Sequence, residues 1–376
     1  MSIYLDYAAS TPVHPEVLDE MVRIYRNAYG NASSHTHSFG QEANKVIVLA
    51  RSRIAHVLGI DEREIIFTSG ATESNNLAIL GLSKWGATIG RYHIVSTAIE
   101  HSSVIEPIRY LESHGFEVSY IQPDSAGIVS SEEVLQAVRE DTLLVSVMHA
   151  NNETGMIQPV RDIGDALSAT DVYFHVDASQ AFGKLLRDLQ MMKYDLLTIT
   201  AHKIYGPQGV GALVLRSDNA SVPPIYPLMY GGGQEQGFRP GTLSVALIGG
   251  FGKAAEISQL HNESWMNTWV GVKLDILKQL SQIKYRINGS VERSLPNLLN
   301  ITVTGIDAEA LMVGVRKQLA LSNGSACSSL KYTPSHVLQA MGLEKKSLRS
   351  SIRMSWGYGI DEVDLRPLIS FVRQFQ

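Results

Sequence analysis

Between residues 64 and 216 the chain alternates short apolar runs, rich in Val and Ile, with longer amphipathic stretches. Few folds accommodate that rhythm. The apolar runs are 64–68, 93–96, 117–121, 143–148, 172–176, 196–199 and 211–215. Helical patterns lie between them at 72–82, 103–114, 131–139 and 160–168. Strand–helix–strand alternation predicts an α/β fold, with a mainly parallel sheet covered by helices on both faces. The run 143–148 has no polar alternation, as a strand buried on both faces requires.

The pattern changes after about residue 252. Long helices are expected over 253–281 and 306–319, strands at 300–303 and 349–355, and a last helix from Asp361 or Glu362. The segment 321–333, LSNGSACSSLKYT, reads as a loop. The expected division is a large domain over 26–252 and a smaller α+β domain over 253–376. The N-terminal residues 1–25 are too few to fold alone and are expected to pack with the small domain.

Composition narrows the function. With 32 basic and 37 acidic residues the net charge is −5, which gives no broad electrostatic footprint for nucleic acid or an anionic membrane. No stretch reaches the ~18 apolar residues a membrane helix needs. The first residues lack a basic segment followed by an apolar run, so a cytoplasmic location is expected. One cysteine excludes internal disulfides and a four-cysteine metal site. His35-Thr36-His37 has no third ligand at useful spacing, so no metal is expected.

In open α/β sheets ligands gather beyond the carboxyl ends of the strands. Five of those ends are polar here: Thr68-Ser69-Gly70-Ala71-Thr72, Glu100-His101-Ser102, His149-Ala150-Asn151-Asn152-Glu153, Asp177-Ala178-Ser179-Gln180 and Thr200-Ala201-His202-Lys203. The first is either a plain turn and cap or a phosphate cradle at a helix N-terminus. Asp177 follows an apolar run, where a carboxylate needs a partner: an arginine, or a cationic ring nitrogen of a cofactor. Lys203 also follows an apolar strand, and a desolvated amine is nucleophilic enough to form a Schiff base. Asp177 and Lys203 are one strand–helix–strand unit apart, at the ligand end of one sheet. A carboxylate for a pyridinium and a lysine for an aldehyde are the two anchors of pyridoxal phosphate. Cys327 is either inert packing or a reactive thiol in a Gly/Ser loop. Arg353 is either an ion-pair partner or a clamp for a substrate carboxylate.

These segments, with Tyr4-Leu5-Asp6-Tyr7-Ala8-Ala9, Asn152-Glu153-Thr154-Gly155, Arg239-Pro240-Gly241-Thr242 and Ser325-Ala326-Cys327-Ser328-Ser329, resemble the cysteine desulfurases of the aminotransferase class V group. The resemblance runs nearly end to end and implies the fold-type-I architecture of pyridoxal-phosphate enzymes. It implies that Lys203 holds the cofactor and moves protons, that Asp177 pairs with the ring nitrogen, and that Gln180 bonds the ring hydroxyl. His101 would stack on the ring and act as acid or base. Thr72, Thr200 and His202 would bind the phosphate, Ala71 would be a further cofactor-binding residue, and Thr242 would reach the phosphate from the other subunit of a homodimer. Asn152 and Arg353 would hold the carboxylate of L-cysteine. Cys327 would take the sulfur as a persulfide, release alanine and pass the sulfur to an acceptor protein. Ala32 stands where the family usually has Pro, and Asn323 where Ser is common. The chain ends at Gln376 without the longer tail of housekeeping members, which favours a dedicated sulfur pathway. The alternatives are a selenocysteine lyase, a kynureninase or an aminotransferase of the same fold, or a non-catalytic scaffold; Cys327 argues against transamination, which needs no thiol.

Overall fold

The computed structural model describes residues 2–217, 222–324 and 334–376. Cys327 and Lys331 therefore lie outside the described residues. In chain order the strands are β1 (Ile3–Tyr4), β2 (Ile65–Thr68), β3 (His93–Thr97), β4 (Glu117–Ile121), β5 (Thr142–Met148) and β6 (Tyr173–Asp177). They continue as β7 (Leu196–Thr200), β8 (Gly211–Leu215), β9 (Tyr285–Ile287), β10 (Leu298–Val303), β11 (Leu319–Ala320) and β12 (Ser351–Ser355).

Among the described residues seven strands form the central sheet, in the order β2-β8-β7-β6-β5-β3-β4. Every residue of β2, β3, β5, β7 and β8 is buried, which explains their largely apolar character. The edge strand β4 is partly exposed. From β3 the chain steps outward to β4, then returns to pair β5 on the other side of β3. Such a reversal opens a crevice at the carboxyl ends. β8 runs antiparallel to both neighbours. The reason is the short return over residues 201–210, which holds one 3-10 turn, Ala201–Lys203, and no crossover helix. Parallel strands need a connection of a dozen or more residues. That short return leaves Lys203 at the mouth of β7.

A second, antiparallel sheet has the order β12-β10-β9, and β1 pairs in parallel with β11. Asp6 continues this by bridging to Ser355 at the end of β12. The N-terminal segment is thus stitched to strands far along the chain.

Two helices, Pro15–Asn27 and Ser38–Leu58, were not anticipated from sequence. Their signals are present: Pro15 opens the first, Gly59 closes the second in the left-handed conformation, and Ala43, Ile47, Ala50 and Ile54 repeat at helical spacing. His37 caps the second, its Nδ1 accepting from the Gly40 amide at 3.1 Å. The helix expected from 253 begins earlier and runs Val245–Leu280. Gly249, Gly250 and Gly252 lower its intrinsic helix propensity, but they lie where it crosses the two N-terminal helices. A Cβ on Gly252 would stand 2.5 Å from the Ala50 Cα, and one on Gly249 2.4 Å from Ile24. The helix expected over 306–319 is shorter, Ala308–Val315, because Leu319 and Ala320 leave it to form β11. The last helix starts at Arg366 rather than at the acidic pair, with Pro367 in its first turn. No helix of the described residues is long and apolar enough to cross a membrane.

Candidate active site

A cavity of about 560 Å³ opens at the carboxyl ends of β2, β3, β5, β6 and β7, roofed by residues 8–10 and Arg353. Ala71, Thr72, His101, Asn152, Asp177, Gln180, Thr200, His202, Lys203 and Arg353 all line it. Ten of the twelve residues expected at the site are therefore brought together. Thr242 is not: it is exposed, beside Tyr29 and Asn31, on a separate cavity of about 250 Å³. Cys327 lies outside the described residues.

At the end of β2, Gly70 has φ 150° and ψ −179°, a conformation open essentially to glycine alone. It starts the helix Ala71–Ile89 without a capping side chain. The first-turn amides have no partner within the helix, which suits them to an anion. Glu73 closes the turn from behind, accepting from the Ser69 amide at 2.7 Å and pairing with Arg239 at 2.9 Å.

His101 precedes the helix Ser102–Glu112 and caps it, its Nδ1 accepting from the Ser103 amide at 3.1 Å. Burial holds this imidazole below its ordinary pKa, with Asp177 pulling the other way and Lys203 reinforcing it. The ring is neutral at pH 7, and an Nδ1 that accepts leaves the proton on Nε2. Asp177 ends β6 and is 5% exposed. Its Oδ2 accepts from Asn75 Nδ2 at 2.8 Å, and its Oδ1 from the Ser179 amide at 2.9 Å and hydroxyl at 2.5 Å. Asn75 also donates to Ser103 Oγ at 2.8 Å, and that hydroxyl meets His101 Nδ1 at 2.8 Å. One network therefore joins the carboxylate to the imidazole.

Lys203 is half-buried; its Nζ donates to the carbonyls of Ala9, at 2.7 Å, and Ala8. Gln180 Nε2 donates to the same Ala8 carbonyl at 2.8 Å. Two residues on, Tyr205 has φ 65°, an uncommon strain for an aromatic residue. Its ring is wedged among Tyr7, Trp265 and Tyr358, and this packing holds the turn that presents Lys203. His202 Nδ1 lies 3.0 Å from Thr200 Oγ1. Burial and the neighbouring lysines, Lys203 and Lys184, bring this imidazole down to about 4.

Arg353 is 4% exposed, far from the surface pair that one reading of the sequence allowed. Its Nη1 donates to the Asn152 carbonyl at 2.7 Å and its Nη2 pairs with Asp6 Oδ1 at 2.5 Å. Its Nε is buried without a partner.

Sequence reading missed several supporting groups. Asn75 and Ser103 are among them. Lys184 is buried, donates to the Gln180 carbonyl at 2.9 Å, and burial and Lys203 lower its amine to about 7. Its spacing four residues after Gln180 was the available signal. Glu100 is fully buried, and burial raises its carboxyl to about 8. Its Oε1 accepts from Thr97 Oγ1 at 2.7 Å and the Met148 amide at 2.8 Å, tying β3 to β5.

The cavity offers an anion cradle, a held carboxylate, a primary amine, a neutral imidazole and a buried guanidinium. Comparison with known proteins agrees. Over 377 residues the chain is 41% identical to the cysteine desulfurase IscS of Cronobacter sakazakii, covering 100% of this chain and 92% of that protein. A solved NifS-like protein superposes with a TM-score of 0.90 at 35% identity, covering 100% of this chain and 98% of the other. SspA, solved in complex with cysteine, gives 0.81 at 37% identity over 94% and 98%. Residues 3–365 match the Aminotransferase class-V family, and the chain belongs to it.

Proposed function

We infer that the protein is a cysteine desulfurase that works with pyridoxal phosphate. The observation that carries this reading is the placement of Asp177 and Lys203 at the ends of the adjacent strands β6 and β7, on one cavity. A buried carboxylate with three donors stays available to an N–H⁺ of a ring, and a lysine opposite supplies the amine an aldehyde needs. The uncapped helix start at Gly70, with Thr200 and His202, suits a phosphate. The residues present thus fit the cofactor, which supplies an electron sink when bound.

The chain's own groups do the rest. Asn152 and Arg353, both on the cavity, orient the carboxylate of L-cysteine. The Nε2 proton of His101 and the Lys203 amine are the proton donors and acceptors at the substrate. In the net reaction the Cys327 thiolate forms an S–S bond to the substrate sulfur, the Cβ–S bond breaks, and Cβ gains a proton. Alanine leaves and Cys327 keeps a persulfide for an acceptor protein. Cys327 distinguishes this reading from an aminotransferase. Thr242, exposed and outside the cavity, is read as a contribution to the partner's phosphate site in a homodimer. The domain division at about residue 252 and a cytoplasmic location remain part of this proposal.

The direct test is the absorption spectrum. The purified protein is expected to show a visible cofactor band, and Lys203→Ala to shift that band and lose turnover by more than ~100-fold. An unchanged band and rate in the variant would show that Lys203 is not the anchor.

A further inference from the structure

Glu153 follows Asn152 directly and is 3% exposed. A buried carboxylate is costly, so a glutamate here calls for a reason. Its backbone is fixed twice: the amide donates to Asn151 Oδ1 at 2.9 Å, and the carbonyl accepts from Asn300 Nδ2 of β10 at 2.9 Å. Its side chain then reaches a piece of chain from elsewhere. Oε2 accepts from Ser335 Oγ at 2.5 Å. The same hydroxyl accepts from the Leu338 amide at 3.0 Å and so caps the helix His336–Ala340. On the other side lies Gly324, with φ 83°, where an added Cβ would stand 3.3 Å from Oε2 and 3.5 Å from Cγ. Gly324 is tied back in turn, its amide donating to Ser322 Oγ at 3.1 Å, while Ser322 bridges to Arg353. Beyond Ser335, His336 Nε2 bonds the Glu100 carbonyl at 2.9 Å.

Residues 324 and 335 flank the stretch of sequence that contains Cys327. One carboxylate therefore holds the flank at Ser335 and faces the flank at Gly324, one residue from the Asn152 that lines the cavity. We propose that Glu153 is a positioning residue for sulfur transfer: through Ser335 its carboxylate fastens the chain that follows the Cys327 segment to the loop after β5. The inference rests on the reading of Cys327 as the sulfur acceptor. Burial pushes the Glu153 carboxyl above its ordinary pKa, against Ser335, His336 and Arg353, which agrees with a group kept for its hydrogen bond.

The test compares Glu153→Ala and Glu153→Gln in the cofactor-loaded protein. Glu153→Ala should keep the cofactor band and its cysteine-dependent change, yet place sulfur on Cys327 at least ~ten-fold more slowly in a single turnover. Glu153→Gln, whose amide oxygen still accepts from Ser335, should recover to within about three-fold. A second readout needs no sulfur chemistry: alkylation of Cys327 by iodoacetamide without cysteine should change rate several-fold in Glu153→Ala and not in Glu153→Gln. Wild-type transfer and alkylation rates in Glu153→Ala would overturn the proposal, as would loss of its cofactor band. A wild-type protein that never forms the persulfide, while alkylation still separates the variants, would remove the functional reading and keep the fastening.

Discussion

Asp177 is held by three donors from two directions, and that arrangement fixes which of its neighbours matter. Asn75 supplies the one side-chain bond to Oδ2, and Ser179 supplies both bonds to Oδ1. A group that must stay charged beside a cationic ring is defined by position as much as by charge. Asp177→Ala is expected to weaken cofactor binding and cut turnover by more than ~100-fold, with Asp177→Glu less damaging. Asn75→Ala should lose about ten-fold through disorientation alone, with the cofactor band retained. Equilibrium titration with pyridoxal phosphate and steady-state rates measure both; a wild-type rate in Asp177→Ala would remove the carboxylate from the mechanism. Asp177 was legible because it follows an apolar run. Asn75 and Glu153 were not, because their importance lies in contacts with residues about 100 and 180 positions away.

The long helix Val245–Leu280 shows how one element can contain glycines of opposite meaning. Gly252 sits where the helix crosses Ala50, and a Cβ there would meet the Ala50 Cα at 2.5 Å. Gly271, in the same helix, has open space around its Cβ position and is exposed. Gly252→Ala should therefore destabilise by ~1–3 kcal/mol through overpacking. Gly271→Ala should stabilise by up to ~1 kcal/mol through helix propensity. Denaturant titration of the two variants reads the signs; equal signs would contradict the crossing geometry. Gly249, Gly250 and Gly252 explain why this helix was expected to start at 253. The strands of the central sheet were legible to within a residue or two, since burial on both faces writes itself as continuous apolar runs. The helices Pro15–Asn27 and Ser38–Leu58 were not read, because exposed Val22, Tyr25, Val48 and Leu49 blur their apolar stripes. Thr242 belongs to no surface of the described cavity, so the role given to it came from resemblance and not from the residues around it.

Across the whole molecule, desolvated imidazoles set the response to acid. His149 and His175, both buried, and His202, half-buried on the cavity, are each held at about 4, in every case first by desolvation. In the unfolded chain they titrate near 6.5. Between those values the unfolded state binds more protons, so stability falls as pH drops from about 6.5 to about 4. For His149 alone a drop from 6.5 to about 4 is worth up to ~3 kcal/mol. Glu100, raised to about 8, opposes this, since its folded form keeps a proton that the unfolded form loses above its ordinary value of 4.5. The histidines outnumber it, and a fall in unfolding free energy between pH 6.5 and 4.5 is expected; a rise would contradict the burial assigned to them. The central claim is that this cavity prepares L-cysteine for attack by Cys327. It is tested most directly by incubating the protein with sulfur-labelled L-cysteine, alkylating it, and locating the label by mass spectrometry. Label on Cys327 with a matching amount of alanine, and neither product from Cys327→Ser with its cofactor band intact, is the expected result. Full alanine release by Cys327→Ser would contradict it.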